Sequence, residues 1–361
     1  MNHGRLFPTL IIAALSAAFF VVPATSFASH DDDPDTAPLR AEKRHFVKMY
    51  KVEKHLSLNS GEEGSDYYHD ASTHVFCEPG DYAIDGMWRV DSVDQDEHGV
   101  QNLTDVNVYK SYADGVDHSK WHFEFYNNSE GQAQLKLFAT CLAEKTAENG
   151  HQHEWELTAS GHPFDQENNF VDPVGFHVDD PAWTGPIDSG NFCPSGSYAV
   201  APGFSWTKGY GELLRSQPFD SDLDGWYWEF HVKLFDGFGD AQVYTSHKCL
   251  KSQSTTKKNH HHFLRSKWRT DNGFAGFLRF IGAESVETET KGCWQHSKAM
   301  LHSFNVYDFS NPSFGHRVWF LGMDPRPKKR SYKFQNKHNA SQPVRIGVVC
   351  WNDRTSKKHA S

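Results

Sequence analysis

The chain has 361 residues and a formal net charge of −10 at pH 7, with 46 acidic against 36 basic residues and 23 histidines. Aromatic residues make up 14% of it and charged ones 23%, which is too rich in rings for a disordered polyelectrolyte. Nucleic acid is not an expected partner, because the N-terminal sequence points to export, although the basic strip described below would suggest it in an intracellular protein.

The chain opens with Arg5, an apolar run from Leu6 to Val22, and small residues at Ser26 and Ala28. This predicts a secretory signal peptide over residues 1–28, because an acidic segment follows the cleavage site at once. No later stretch reaches the ~18 consecutive apolar residues of a membrane span, so no transmembrane segment is expected. The expected location is therefore outside the cytoplasm: secreted, extracellular, at a cell surface or periplasmic. Residues 29–42 read as an acidic disordered leader, built on SHDDDPDTAPLR.

From there the chain alternates apolar and polar residues. Trp121, Phe123 and Phe125 share one face of a predicted strand, as do Trp226, Trp228 and Phe230, and Val344, Ile346, Val348 and Cys350. No long segment has the 3.6-residue apolar period of a helix, so the expected class is all-β.

Two phrases recur. Cys77 and Cys193 each begin C-x2-G-x-Y-A-[IV], and a degraded copy begins at Cys293. The closing phrase G-x-A-Q-[LV]-x5-C-L occurs at Gly131–Leu142 and again at Gly239–Leu250, with Cys350-Trp351 in the third place. Self-similarity at this long period predicts three tandem, antiparallel β-sandwich-like repeat domains at 43–146, 147–255 and 256–355, followed by a polar tail at 356–361. Each copy has one opening and one closing cysteine. The expected pairs are Cys77–Cys141, Cys193–Cys249 and Cys293–Cys350, the pairing that works identically three times in an oxidising compartment.

Candidate ligands follow the closing phrases. His151 and His153, and His260 and His262, stand at i and i+2, which on a strand puts each pair on one face as workable metal ligands. The bland alternative is imidazoles bonded to loop backbone. Asp220, Asp222 and Asp224, followed by Gly225, have the spacing of the first half of a calcium-binding EF-hand loop. The twelfth position is His231 instead of a bidentate Glu and a strand follows, so a complete EF-hand is excluded. A partial calcium loop and an ordinary acidic turn remain. No cofactor is required by any motif, and calcium is the candidate.

Charge is unevenly distributed. Residues 250–361 carry 20 Lys and Arg against 7 Asp and Glu, while residues 29–249 carry 15 against 39. The basic surplus is densest at Arg326, Lys328, Lys329 and Arg330, beside Pro325 and Pro327. Such a strip suits an anionic polysaccharide, an anionic surface, or head-to-tail association with the acidic part of another copy. Trp88, Trp155, Trp206 and Trp268 lie outside the alternating runs, near turns, where rings can meet sugars or proteins.

Signatures of known catalytic classes are missing from the sequence: it has no G-x-S-x-G, H-E-x-x-H, phosphate-cradling or dinucleotide-binding glycine loop. The expected function is a secreted, non-catalytic structural, adhesive or assembly protein. A calcium- or metal-assisted glycan-binding module is the alternative, and a secreted hydrolase the second.

Overall fold

The computed structural model describes residues 45–60, 71–95, 99–147, 151–159, 176–178, 184–188, 192–233, 241–257, 260–270, 278–295, 297–306, 318–352 and 356–359. The expected signal peptide and leader lie outside the described residues. Apart from a 3-10 turn at Leu103–Asp105, the regular elements among these are strands.

The first segment supplies β1 (Met49–Leu58), β2 (Ala71–Phe76), β3 (Tyr82–Val93), β4 (Val106–Ala113), β5 (Lys120–Asn127) and β6 (Ala133–Leu142). The second supplies β7 (Leu157–Ala159), β8 (Phe176–Val178), β9 (Thr184–Asp188), β10 (Ser197–Lys208), β11 (Tyr210–Pro218), β12 (Trp226–Lys233) and β13 (Ala241–Lys251). The third supplies β14 (His260–Phe263), β15 (Ser266–Thr270), β16 (Arg279–Ile281), β17 (Val286–Gly292) and β18 (Ser297–Asn305). It ends with β19 (Val318–Arg326), β20 (Lys329–Asn336), β21 (Gln342–Asn352) and β22 (Ser356–His359).

The expected alternation holds. Trp121, Phe123 and Phe125 on β5 are buried, as are Trp226, Trp228 and Phe230 on β12, while the residues between them on β12 are only half-buried. Period two with one large ring set inward is what a sheet lying on a core requires.

The three large sheets do not follow the repeat boundaries. Their orders are β1-β6-β3-β19-β20-β17, β7-β13-β10-β4-β5-β2 and β15-β21-β18-β11-β12-β9. Each joins strands of one segment to strands of another, with β8 also pairing β13 and β16 also pairing β21, and the exchange is cyclic: first with third, second with first, third with second. Residues Lys43–Ser361 accordingly make one compact unit. The expected boundaries at 146/147 and 255/256 fall inside that unit.

The junctions are short. Arg89 on β3 faces Gly322 on β19, Ser111 on β4 faces Phe204 on β10, and Arg215 on β11 faces Asn305 on β18. At Gly322 (φ +116°) a Cβ would lie 2.1 Å from the Trp88 carbonyl, so only glycine lets β19 approach β3 this closely. Residues from all three sheets belong to one buried apolar cluster, including Trp121, Trp206, Trp226 and Trp351.

The three disulfides are Cys77–Cys141, Cys193–Cys249 and Cys293–Cys350, with Cα–Cα separations of 5.7, 5.5 and 5.7 Å. Their surroundings repeat. The amides of Cys77, Cys193 and Cys293 donate to the carbonyls of Ser119, Asp224 and Lys328. Those of Ala83, Ala199 and Ala299 donate to His118, Leu223 and Pro327. Each bridge thus anchors an equivalent turn, β4–β5 in the first segment, β11–β12 in the second and β19–β20 in the third. Three structural disulfides fit an oxidising compartment. Among the described residues no helix is long and apolar enough to cross a membrane.

Within the stretch expected as a polar tail, Ser356–His359 forms β22 and pairs with β14, setting Lys357 opposite His262.

Candidate metal centre and charged turns

Three stretches repeat one short pattern: His45-Phe46-Val47, His153-Glu154-Trp155 and His262-Phe263-Leu264. Val47, Trp155 and Leu264 are each buried in the common core, which fixes the rotation of the stretch and aims the histidine two residues earlier inward. The backbone registers agree. Lys48, Glu156 and Arg265 each accept an amide bond near the closing cysteine, from Ala143, Lys251 and Asn352.

The three imidazoles meet. Ring centroids are 5.1 Å apart for His45 and His153, 4.4 Å for His153 and His262, and 4.8 Å for His45 and His262. Their residues are 1%, 0% and 3% exposed. His151 is half-buried beside them, 4.7 Å from His45 and 4.9 Å from His153. One ligand nitrogen from each of His45, His151 and His153 lies within 4.8 Å of the others.

Hydrogen bonds set the tautomers. His153 Nδ1 lies 2.9 Å from the Thr255 carbonyl and His45 Nδ1 lies 3.2 Å from the Ala147 carbonyl. A carbonyl only accepts, so each Nδ1 carries the proton and each Nε2 keeps its lone pair. Of the predicted ligands, His151, His153 and His262 come together, while the His260 side chain lies outside the described residues. Sequence reading missed His45, because it precedes the first closing phrase. The signal was the H-x-apolar pattern, visible once the ring of segments is closed on itself. Cys193, His247 and Cys249 also cluster, but both sulfurs are in a disulfide and burial holds His247 down to about 4.

The acidic loop is the turn between β11 and β12, and the basic strip spans the end of β19, the corresponding turn and the start of β20. Asp220 Oδ1 accepts the Asp222 amide at 2.9 Å, and Leu223 has φ +61°. Burial, and then the charge of Asp220, hold the Asp224 carboxyl above its usual range. In the third segment Arg326 and Lys328 are exposed and Lys329 half-buried. Arg330 is different. It is 1% exposed and turned inward, so it is not part of the outward-facing strip.

Its guanidinium ends a buried polar chain. Arg330 Nη2 reaches Asp85 Oδ2 (3.4 Å), Thr140 Oγ1 (3.1 Å) and the Met300 carbonyl. Asp85 Oδ1 is 2.7 Å from His302 Nδ1, and His302 Nε2 is 2.7 Å from Ser216 Oγ. Carboxylate, imidazole and hydroxyl in this order have the spacing of a nucleophile, its base and the group that orients the base. The Ser216 hydroxyl, however, is 1% exposed and accepts a bond from Trp226 Nε1 at 2.9 Å. Its partners come one from each segment, which makes the chain a brace across the core.

Of the flagged tryptophans, Trp88, Trp155 and Trp206 are buried at 4%, 2% and 0% exposure, and Trp268 donates to Ser303 Oγ. Trp88, Trp155 and Trp206 belong to the common core and Trp268 packs against it. Among the described tryptophans, Trp294 stands out, 43% exposed with Arg269 at 4.9 Å and Lys267 at 5.4 Å. Where β4, β11 and β19 converge, Trp88, Asn107, Glu212 and Trp319 line a cavity of about 30 Å³, room for about one water. Compared with protein-family models and with curated proteins, the chain matches none.

Proposed function

We propose that this is a secreted, non-catalytic structural or assembly protein whose copies associate head to tail through charged turns. One observation carries the reading. The carbonyl that accepts the opening cysteine's amide belongs to Asp224 in the second segment, beside Asp220 and Asp222, and to Lys328 in the third, beside Arg326 and Lys329. Equivalent positions with opposite charge, related by the cyclic arrangement of strands, form a heterologous contact between copies, which builds open chains unless it closes into a ring. The internal use of Asp85, His302 and Ser216 supports a non-catalytic reading.

Sedimentation of the disulfide-intact protein at low and high salt tests the association, since exposed charges are screened beyond ~8 Å at physiological ionic strength. Larger species are expected at low salt, lost on Lys328→Glu/Lys329→Glu and regained when that variant is mixed with Asp220→Lys/Asp222→Lys. A monomer at low salt and high concentration refutes the reading. A second reading, binding of an anionic glycan, is favoured by Trp294, whose exposed ring and flanking cations suit a sugar face and its acidic group. Glycan-array binding lost on Trp294→Ala would support it.

A further inference from the structure

We propose that His45, His153 and His262, with His151 alongside, bind one divalent transition-metal ion of the zinc class, which clasps the three segments where they meet. Each segment contributes one buried imidazole to a nearly equilateral group, with centroids 4.4 to 5.1 Å apart. Convergence of three groups from residues more than a hundred positions apart is a property of the closed ring, not of any local turn.

The chemistry selects the ion. An all-imidazole set suits zinc, cobalt, nickel or copper and is wrong for calcium or magnesium, which take oxygen ligands. Backbone carbonyls fix the proton of His45 and His153 on Nδ1, leaving Nε2 to ligate. Metal-binding histidines are held in this way, with the second nitrogen donating to a carbonyl or carboxylate. Nitrogens about 2.0–2.1 Å from a tetrahedral ion stand about 3.4 Å apart. One ligand nitrogen from each of His45, His151 and His153 lies within 4.8 Å of the others, a gap that small side-chain rotations close, and the His262 ring centroid stands 4.4 Å from that of His153. His151, the half-exposed member, is placed to fill the fourth position or to yield it to water.

The alternative occupant of the same triangle is a shared proton, with the rings held by edge-to-face packing. The two differ in what they take up. The disulfide-intact protein, stripped with chelator, is titrated with Co²⁺ and then Zn²⁺, following the visible cobalt spectrum and the heat. The expected result is one ion per chain, the intense spectrum of a four-coordinate cobalt site, displacement by zinc, and loss of binding as pH falls from 7 to 5. His153→Gln and His262→Gln should each weaken binding more than about tenfold, a loss already seen on removing outer-shell partners alone. His55→Gln, an exposed histidine, should leave it unchanged. If the ligand variants fail to fold, ring-proton NMR of the parent protein decides: zinc should move the signals of three or four histidines, with connectivity to His45, His153 and His262. No uptake at 0.1 mM metal, uptake that survives both substitutions, or shifts confined to other histidines would overturn the proposal.

Discussion

Replacing Arg330 with methionine removes a guanidinium from the core while keeping much of the side-chain stem. The lost group donates to the Met300 and Arg326 carbonyls, Thr140 Oγ1 and Asp85 Oδ2, and side-chain exposure of both Arg330 and Asp85 is 1%. Removing one member of a buried ion pair costs about 3–5 kcal/mol, chiefly because its partner stays buried with its charge no longer matched, here Asp85 with the His302 contact alone remaining. At about 2 °C per kcal/mol for a body of this size, the melting temperature should fall by about 6–10 °C. The double variant Asp85→Asn/Arg330→Met removes both charges. Contacting members of one network couple by about 0.5–3 kcal/mol, so its cost should be smaller than the sum of the two single costs. Guanidinium unfolding followed by tryptophan fluorescence, with the disulfides kept oxidised, measures all three. The reasoning fails if Arg330→Met unfolds within about 0.5 kcal/mol of the parent. It fails equally if the single effects add up to the double.

Lys248 is buried, donates to the Asp114 carbonyl, and burial pushes it down to about 8. Between about pH 8 and 10 the unfolded chain holds a proton that the folded one has shed, so stability should rise with pH by about 2 kcal/mol. Lys248→Met should flatten that rise in pH-dependent unfolding curves; an unchanged slope would remove Lys248 as its source. Millimolar calcium should raise the melting temperature if the acidic turn takes an ion, and Asp222→Ala should abolish the increment. No shift would make it an ordinary turn. The Cys193→Ser/Cys249→Ser protein, losing a bridge of sequence separation 56, should be about 4 kcal/mol less stable in the chain-entropy account, read from chemical unfolding. A loss below about 1 kcal/mol would show that the sheets alone constrain the segment. A serine-directed fluorophosphonate should leave Ser216 unlabelled in the folded protein and, if it labels, the brace is a catalytic site.

Class, disulfides and core faces were legible because they depend on short-range pattern. Alternating Trp226, Trp228 and Phe230 need only period two, and the cysteine phrases identify their own partners. The sheet exchange was not legible. A repeat marks equivalent strands but carries no information on whether a fourth strand pairs with its own third or a neighbour's. That decision rests on non-local contacts such as Arg89 beside Gly322. The same gap hid His45, whose companions lie in other segments. It also made Arg330 look like surface charge, since a run of cations reads as exposed unless Asp85, 245 positions earlier, is known to face it.

Strands β19, β20 and β17 complete the sheet begun by β1, β6 and β3, so a chain that appears N-terminus first cannot finish its first sheet until its last third has arrived. Until then β3 presents an unmatched edge, the kind of surface that invites pairing with strangers. The cysteines impose no such wait, because each pair closes within its own third of the chain. Oxidation can therefore run in order of synthesis while sheet formation is held to the end. A chain truncated after β13 would leave the cell's quality control with correct disulfides on an unclosed ring, a lesion visible to chaperones that sense exposed strands and invisible to enzymes that sense thiols.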